Sequence, residues 1–114
     1  MLSLFLVLLG AHFIGDYALQ SDYLATNKGK SLYVLTAHSA IWTFCIVMTA
    51  VFVRGIATPA WVMLLVLFIP HFVIDKMKVR GLYFFSGLTP KSALAVDQLL
   101  HYAQILLFIG FTVN

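Results

Sequence analysis

Charge is absent from four long stretches of this chain, Met1 to Gly15, Ser31 to Val53, Gly55 to Ile74 and Gln98 to Asn114. Nothing else in the sequence restricts the fold as strongly. Each stretch is close to the roughly 20 apolar residues that an α-helix needs to cross a hydrocarbon layer, where a helix pairs its backbone groups without water. Of the 114 residues, 62% are hydrophobic and 10% charged, with a mean hydropathy of +1.00. A soluble domain carries about a quarter charged residues, so these values exclude one. The first stretch lacks the basic start and small-residue cleavage site of a signal peptide, and His12 and Asp16 are out of place in one, so it reads as a span.

The sequence therefore predicts an all-α fold, a four-helix transmembrane bundle. It forms a single integral membrane domain over residues 1–114, with spans near 2–20, 31–53, 59–78 and 91–113. Thr58-Pro59 and Thr89-Pro90 each read as an N-cap followed by proline at the first helical position. Asn27-Lys28-Gly29-Lys30 reads as a turn. Lys28, Lys30, Lys76, Lys78, Arg80 and Lys91 lie on one side of the bundle and only Arg54 on the other. The positive-inside rule then puts the first and third loops in the cytoplasm and both termini outside it. Trp42, Trp61, Tyr23, Tyr33, Tyr83, Phe84 and Phe85 are candidate interfacial anchors, Trp42 being equally suited to the bundle interior. The net charge of +3 follows from orientation and from attraction to anionic headgroups, so nucleic acid is not an expected partner. Cys45 is the only cysteine, which leaves neither a disulfide framework nor a thiolate metal motif.

Three of the four acidic residues fall in or at the ends of the spans, and each has a histidine four positions away: His12/Asp16, His71/Asp75 and Asp97/His101. Residues spaced i, i+4 share a helix face, so each pair is expected to aim an imidazole and a carboxylate the same way. His38 gives the remaining helix its histidine. With a rise of about 1.5 Å per residue, all four histidines are expected within a layer about 8 Å deep in the cytoplasmic half of the bilayer. His12-Phe-Ile-Gly-Asp16 reappears as His71-Phe-Val-Ile-Asp75, and Lys30-Ser31-Leu32 is echoed by Lys91-Ser92-Ala93. This pattern predicts two repeated helical hairpins related by an axis along the membrane normal. Asp97 has no acidic counterpart on the second helix.

Ionisable groups inside a membrane cost about 2.5 kcal/mol or more each at its centre, so they are generally paired, inward-facing and functional. His12, Asp16, His38, His71, Asp75, Asp97 and His101 form a pool suited to one or two divalent ions, zinc above all. Two ions sharing carboxylates are a common hydrolytic arrangement, and bundles build such centres from facing helices. The expected activity is metal-dependent hydrolysis of a lipid or another membrane-associated ester or phosphoester. Asp16, Asp75 or Asp97 would serve as general base. Gln20, Gln98, Lys28 and Lys78 are candidate substrate-binding groups at the cytoplasmic mouth. A divalent-metal transporter or sensor would use the same residues without turnover, and such a short chain would then need to form a homo-oligomer. Internal Asp-His clasps, a proton path, or a non-catalytic membrane factor with a structural polar core are the other readings. Pro70 is expected to leave the carbonyl of Val66 without its donor. Gly10 and Gly15 are expected to permit close helix contact.

The strings His12-Phe-Ile-Gly-Asp16-Tyr-Ala-Leu-Gln20, Asn27-Lys28 with His38 following, His71-Phe-Val-Ile-Asp75-Lys-Met-Lys78 and Asp97-Gln-Leu-Leu-His101 resemble the family known as domain of unknown function 3307. The resemblance covers nearly the whole chain. It implies a small multi-span membrane protein of bacterial or phage origin, located in the bacterial inner membrane, and carries no settled activity. A more distant likeness is to inner-membrane metal-dependent hydrolases.

Overall fold

The computed structural model describes residues 2–18, 31–80 and 85–113, and every element among them is helical. Helix α1 is α-helical over Leu2–Phe13 and continues as a π-helical turn over Ile14–Ala18. Helix α2 spans Leu32–Arg54. Helix α3 starts as an α-helical turn over Ala60–Val62, widens to a π-helix over Met63–Phe68, and returns to α over Ile69–Arg80. Helix α4 spans Pro90–Val113. Three of the four, α2, α3 and α4, are long and apolar enough to cross a membrane, and α1 carries a shorter apolar segment, Leu2–Asp16.

Local chemistry sets the ends. Ser31 caps α2, its hydroxyl accepting the Val34 N–H at 3.4 Å. Gly55 stops the same helix in the left-handed region, at φ 66°, a conformation that costs glycine little. Thr89 caps α4 through the Ser92 N–H at 3.2 Å, with Pro90 in the first turn, as its sequence predicts. The start of α3 differs by one residue. Pro59 itself is the N-cap, extended at ψ 149°, and the Thr58 hydroxyl makes no hydrogen bond.

Each helix packs on its neighbours in chain order, α1 on α2, α2 on α3 and α3 on α4, and α4 closes the ring against α1. The Arg54 guanidinium donates to Ser3 Oγ at 2.6 Å, tying the end of α2 to the start of α1. One end of the ring is filled by apolar side chains from all four helices, among them Leu8, Ile46, Leu67 and Phe108. Gly15 lets α1 press against α2. A Cβ there would meet the Trp42 Cα at 3.1 Å and the Cys45 Cβ at 3.3 Å. Gly10 does not share this role, because nothing lies within 4 Å of its hypothetical Cβ.

The proline in α3 is accommodated by two features. The π-helical widening ahead of it shifts the hydrogen-bond register, with the Ile69 N–H reaching Leu64 O. The amide of Gln104 on α4 then donates to Val66 O at 2.8 Å and Leu67 O at 2.5 Å. The Val66 carbonyl lacks its usual donor because Pro70 has none, and a neighbouring helix supplies one.

The outside of the bundle is apolar. Phe44, Phe52, Leu65, Leu99 and Leu107 are exposed, while His38, His71, Asp75, Asp97 and His101 at the other end of the ring are buried. Among the anticipated anchors, Tyr33 and Trp61 are exposed, whereas Trp42 and Phe85 are buried. Tyr23, Tyr83 and Phe84 lie outside the described residues.

Candidate metal centre

All four helices deliver a polar side chain to one place. Asp16 comes from the π turn of α1, His38 from α2, His71 and Asp75 from α3, and Asp97 and His101 from α4. All six are buried, with His71 and His101 at 0% exposure and Asp16 the most exposed at 5%. Within α3 and α4 the i, i+4 spacing works as anticipated. His71 Nε2 lies 3.2 Å from Asp75 Oδ2, and His101 Nδ1 lies 3.3 Å from Asp97 Oδ1.

In α1 the same spacing does not form a pair. The π-helical turn begins two residues after His12 and rotates Asp16 away from the direction that α-helical spacing would give it. Asp16 faces His38, with Oδ1 3.1 Å from Nε2. His12 instead accepts a hydrogen bond from the Trp42 indole at Nδ1, at 2.9 Å, and its Nε2 lies 2.8 Å from Gln98 Oε1. The two repeated His-x-x-x-Asp strings are therefore used differently.

The donor atoms fall into two groups that share Asp16. Asp16, His38, His71 and Asp75 each offer an atom lying within 4.8 Å of the others, and so do Asp16, Asp97 and His101. In the first group, His38 Nε2 is 3.1 Å from Asp16 Oδ1 and 3.0 Å from Asp75 Oδ2. His71 Nε2 is 3.2 Å from the same Asp75 oxygen and 4.0 Å from Asp16 Oδ1. Asp75 extends toward the second group, its Oδ1 lying 3.8 Å from His101 Nε2.

These separations suit ligation better than pairwise hydrogen bonding. One imidazole N–H cannot point at two carboxylates at once, yet His38 Nε2 stands near both. Asp16 Oδ1, His71 Nε2, His101 Nε2 and Asp97 Oδ1 are buried without a hydrogen bond. Buried polar atoms are seldom left so. Four ligands tetrahedrally placed at the 2.0–2.1 Å of zinc–nitrogen bonds would be about 3.3 Å from one another, within the observed 3.0 to 4.0 Å.

Surrounding contacts orient these donors. The Asp97 backbone carbonyl is only an acceptor, so the 2.7 Å contact from His101 Nδ1 places the ring proton there and leaves Nε2 with its lone pair. Trp42 stacks on His71, with centroids 4.3 Å apart and planes 15° from parallel. Asp97 Oδ2 receives Lys78 Nζ at 3.3 Å and Gln98 Nε2 at 3.0 Å. Lys78 is thus paired to one of the three buried carboxylates.

The bundle thus brings together six of the seven anticipated ligands, with His12 in a supporting position. Lys78 and Gln98 both contact Asp97, while Gln20 and Lys28 lie outside the described residues. Sequence reasoning missed Gln104 and gave Trp42 no site role. Gln104 continues the Asp97/His101 face by a further turn, and Trp42 stands four residues after His38, so the same spacing argument reaches both.

The fold and this cluster define a class, an apolar helical bundle of membrane-span length with a buried His/Asp core. The chain belongs to the family described as Protein of unknown function (DUF3307), whose profile matches residues 4–114. No curated protein and no solved structure matches it.

Proposed function

We propose that this chain is a membrane-embedded protein that binds divalent metal, most suitably zinc, and uses it to hydrolyse a lipid or another membrane-associated ester or phosphoester. The observation that carries this reading is the convergence of Asp16, His38, His71 and Asp75 donor atoms, all buried, within 4.8 Å of one another. Two carboxylates and two imidazoles are a hard-to-borderline donor set suited to zinc. A divalent ion bound there supplies Lewis acidity toward water and a substrate oxygen.

The chain's own residues divide the work. Asp16, His38, His71 and Asp75 hold an ion with four protein donors. Asp97 and His101, with Asp16 shared, form a three-donor group that leaves room for a water or substrate atom. Whichever of Asp16, Asp75 and Asp97 keeps an oxygen off the ion would accept the proton released as water adds to the ester, and return it to the departing oxygen. Lys78, whose side chain is 31% exposed, leads outward from Asp97 and attracts an anionic headgroup. Under the positive-inside rule this mouth opens to the cytoplasm, with both termini across the membrane, as suits an inner-membrane protein of bacterial or phage origin.

Elemental analysis of the detergent-purified protein tests the metal. About one or two equivalents of a transition ion are expected in wild type and loss is expected in His71→Ala; a protein that stays metal-free after reconstitution with zinc would end the proposal. Turnover of phosphoester and ester lipids in proteoliposomes, abolished in Asp97→Asn, tests hydrolysis. A second reading, transport or sensing of the ion, draws on the four protein donors of the first group, which fill a tetrahedral shell. Zinc flux into proteoliposomes without lipid turnover would favour it.

A further inference from the structure

The polar residues left over by the two donor groups form a chain of their own. Trp42 Nε1 donates to His12 Nδ1 at 2.9 Å, His12 Nε2 meets Gln98 Oε1 at 2.8 Å, and Gln98 Nε2 donates to Asp97 Oδ2 at 3.0 Å. The direction of this relay is fixed at its origin, because an indole N–H can only donate. His12 Nδ1 must therefore be the accepting nitrogen, and the ring proton sits on Nε2. Gln98 receives that proton with its carbonyl oxygen, which turns its NH2 toward Asp97.

We propose that Trp42, acting through His12 and Gln98, is a positioning residue for Asp97. Resting on the metal-binding reading above, the inference is that the relay dedicates one Asp97 oxygen to the protein and the other to an ion. Gln98 and Lys78 both donate to Oδ2. Oδ1 is left buried with no hydrogen bond. Trp42 also packs its ring on His71 at 4.3 Å, so it touches the first donor group by stacking and reaches the second only through His12 and Gln98. Removing the N–H alone separates the two roles. Trp42→Phe keeps an aromatic ring over His71 and deletes the first donor of the relay.

The experiment pairs nitrogen NMR of the histidine-labelled full chain in detergent with zinc titration of the same samples. In wild type, His12 is expected to show a proton on Nε2 and none on Nδ1. Trp42→Phe should turn this into a mixture of tautomers and weaken zinc at the Asp97 group about tenfold, the scale of one lost hydrogen bond to a charged group. Zinc at the His38/His71 group should stay within about twofold of wild type, since the phenyl ring keeps the stacking on His71 and no relay hydrogen bond ends on that group. Gln98→Leu provides a second route should Trp42→Phe fail to fold. It leaves the Trp42–His12 bond and the His12 tautomer in place but should weaken zinc at the Asp97 group to the same extent. Unchanged zinc affinity in these variants would overturn the inference, as would a weakening in Trp42→Phe with the His12 tautomer intact. A wild type that binds no zinc fails the metal-binding reading instead. The tautomer comparison then still decides whether Trp42 sets His12.

Discussion

His12 and His71 hold matching places in a repeated string, yet their surroundings give them different work. Each His71 ring nitrogen is buried without a hydrogen bond, and Nε2 faces two carboxylates. Both His12 nitrogens are occupied by Trp42 and Gln98. His71→Ala should therefore release the bound ion, whereas His12→Ala should retain the ion held by Asp16, His38, His71 and Asp75. Elemental analysis of both folded variants checks the contrast, and equal loss from the two would contradict the division drawn here. Which residues belong to the site was legible in the sequence because His and Asp stand out against an apolar background. Their individual roles were not, because the π turn at Ile14–Ala18 has no unambiguous signature in the residues that form it. Gly15 inside that turn is a second residue whose role is steric. Gly15→Ala would place a Cβ 3.1 Å from the Trp42 Cα, a backbone atom that cannot swing aside. The expected result is a loss of about 1 to 3 kcal/mol of stability, the usual range for overpacking, measured by thermal unfolding in detergent. Gly10→Ala, inside a helix with open space around it, should not lower the same midpoint.

Helix α3 shows how an irregular element is sustained by its neighbour. Pro70 deprives the Val66 carbonyl of a donor, the helix widens ahead of it, and Gln104 of α4 reaches across to Val66 and Leu67. An unsatisfied carbonyl in an apolar surrounding costs roughly 1 to 3 kcal/mol. Gln104→Leu should lose about that much stability in a chain that keeps Pro70. In a Pro70→Ala background the backbone N–H returns, so the same Gln104→Leu change should cost measurably less. Unfolding midpoints of the two single variants and the double variant give the coupling between them. Additive losses would mean that Gln104 serves some purpose other than replacing the missing donor. The orphaned carbonyl was legible from Pro70 alone, because the defect follows from covalent structure. The residue that repairs it was not, since it lies on another helix at a register that only packing determines. Cap signals behaved the same way: Thr89-Pro90 acts as its sequence predicts, while at Thr58-Pro59 the proline takes the cap and the threonine is left out.

At the scale of the whole molecule the usual order is reversed, with apolar side chains outward and a buried cluster of three carboxylates at one end of the ring. Periodicity revealed which face of each helix is polar. The circular order of helices required the structure, because a face pattern does not name its neighbour. That arrangement concentrates charge where it is expensive. The carboxylates of Asp16 and Asp75 lie 3.1 and 3.0 Å from the same His38 nitrogen, close enough to repel each other. A divalent cation held between them offsets that repulsion, so ion binding and bundle stability should be linked. An ion at a hundred times its dissociation constant adds about 2.7 kcal/mol to the stability of the form that binds it. Chelation should therefore lower the thermal midpoint, and added zinc should restore it. The decisive comparison is Asp16→Asn combined with Asp75→Asn, which removes the two charges without removing bulk. That variant should unfold at the same temperature with or without zinc, and above the chelated wild type, because it lacks the repulsion between the two buried carboxylates. Should chelated wild type and variant unfold together, the carboxylates are already compensated within the bundle. The cluster would then be a set of helix clasps instead of a metal centre.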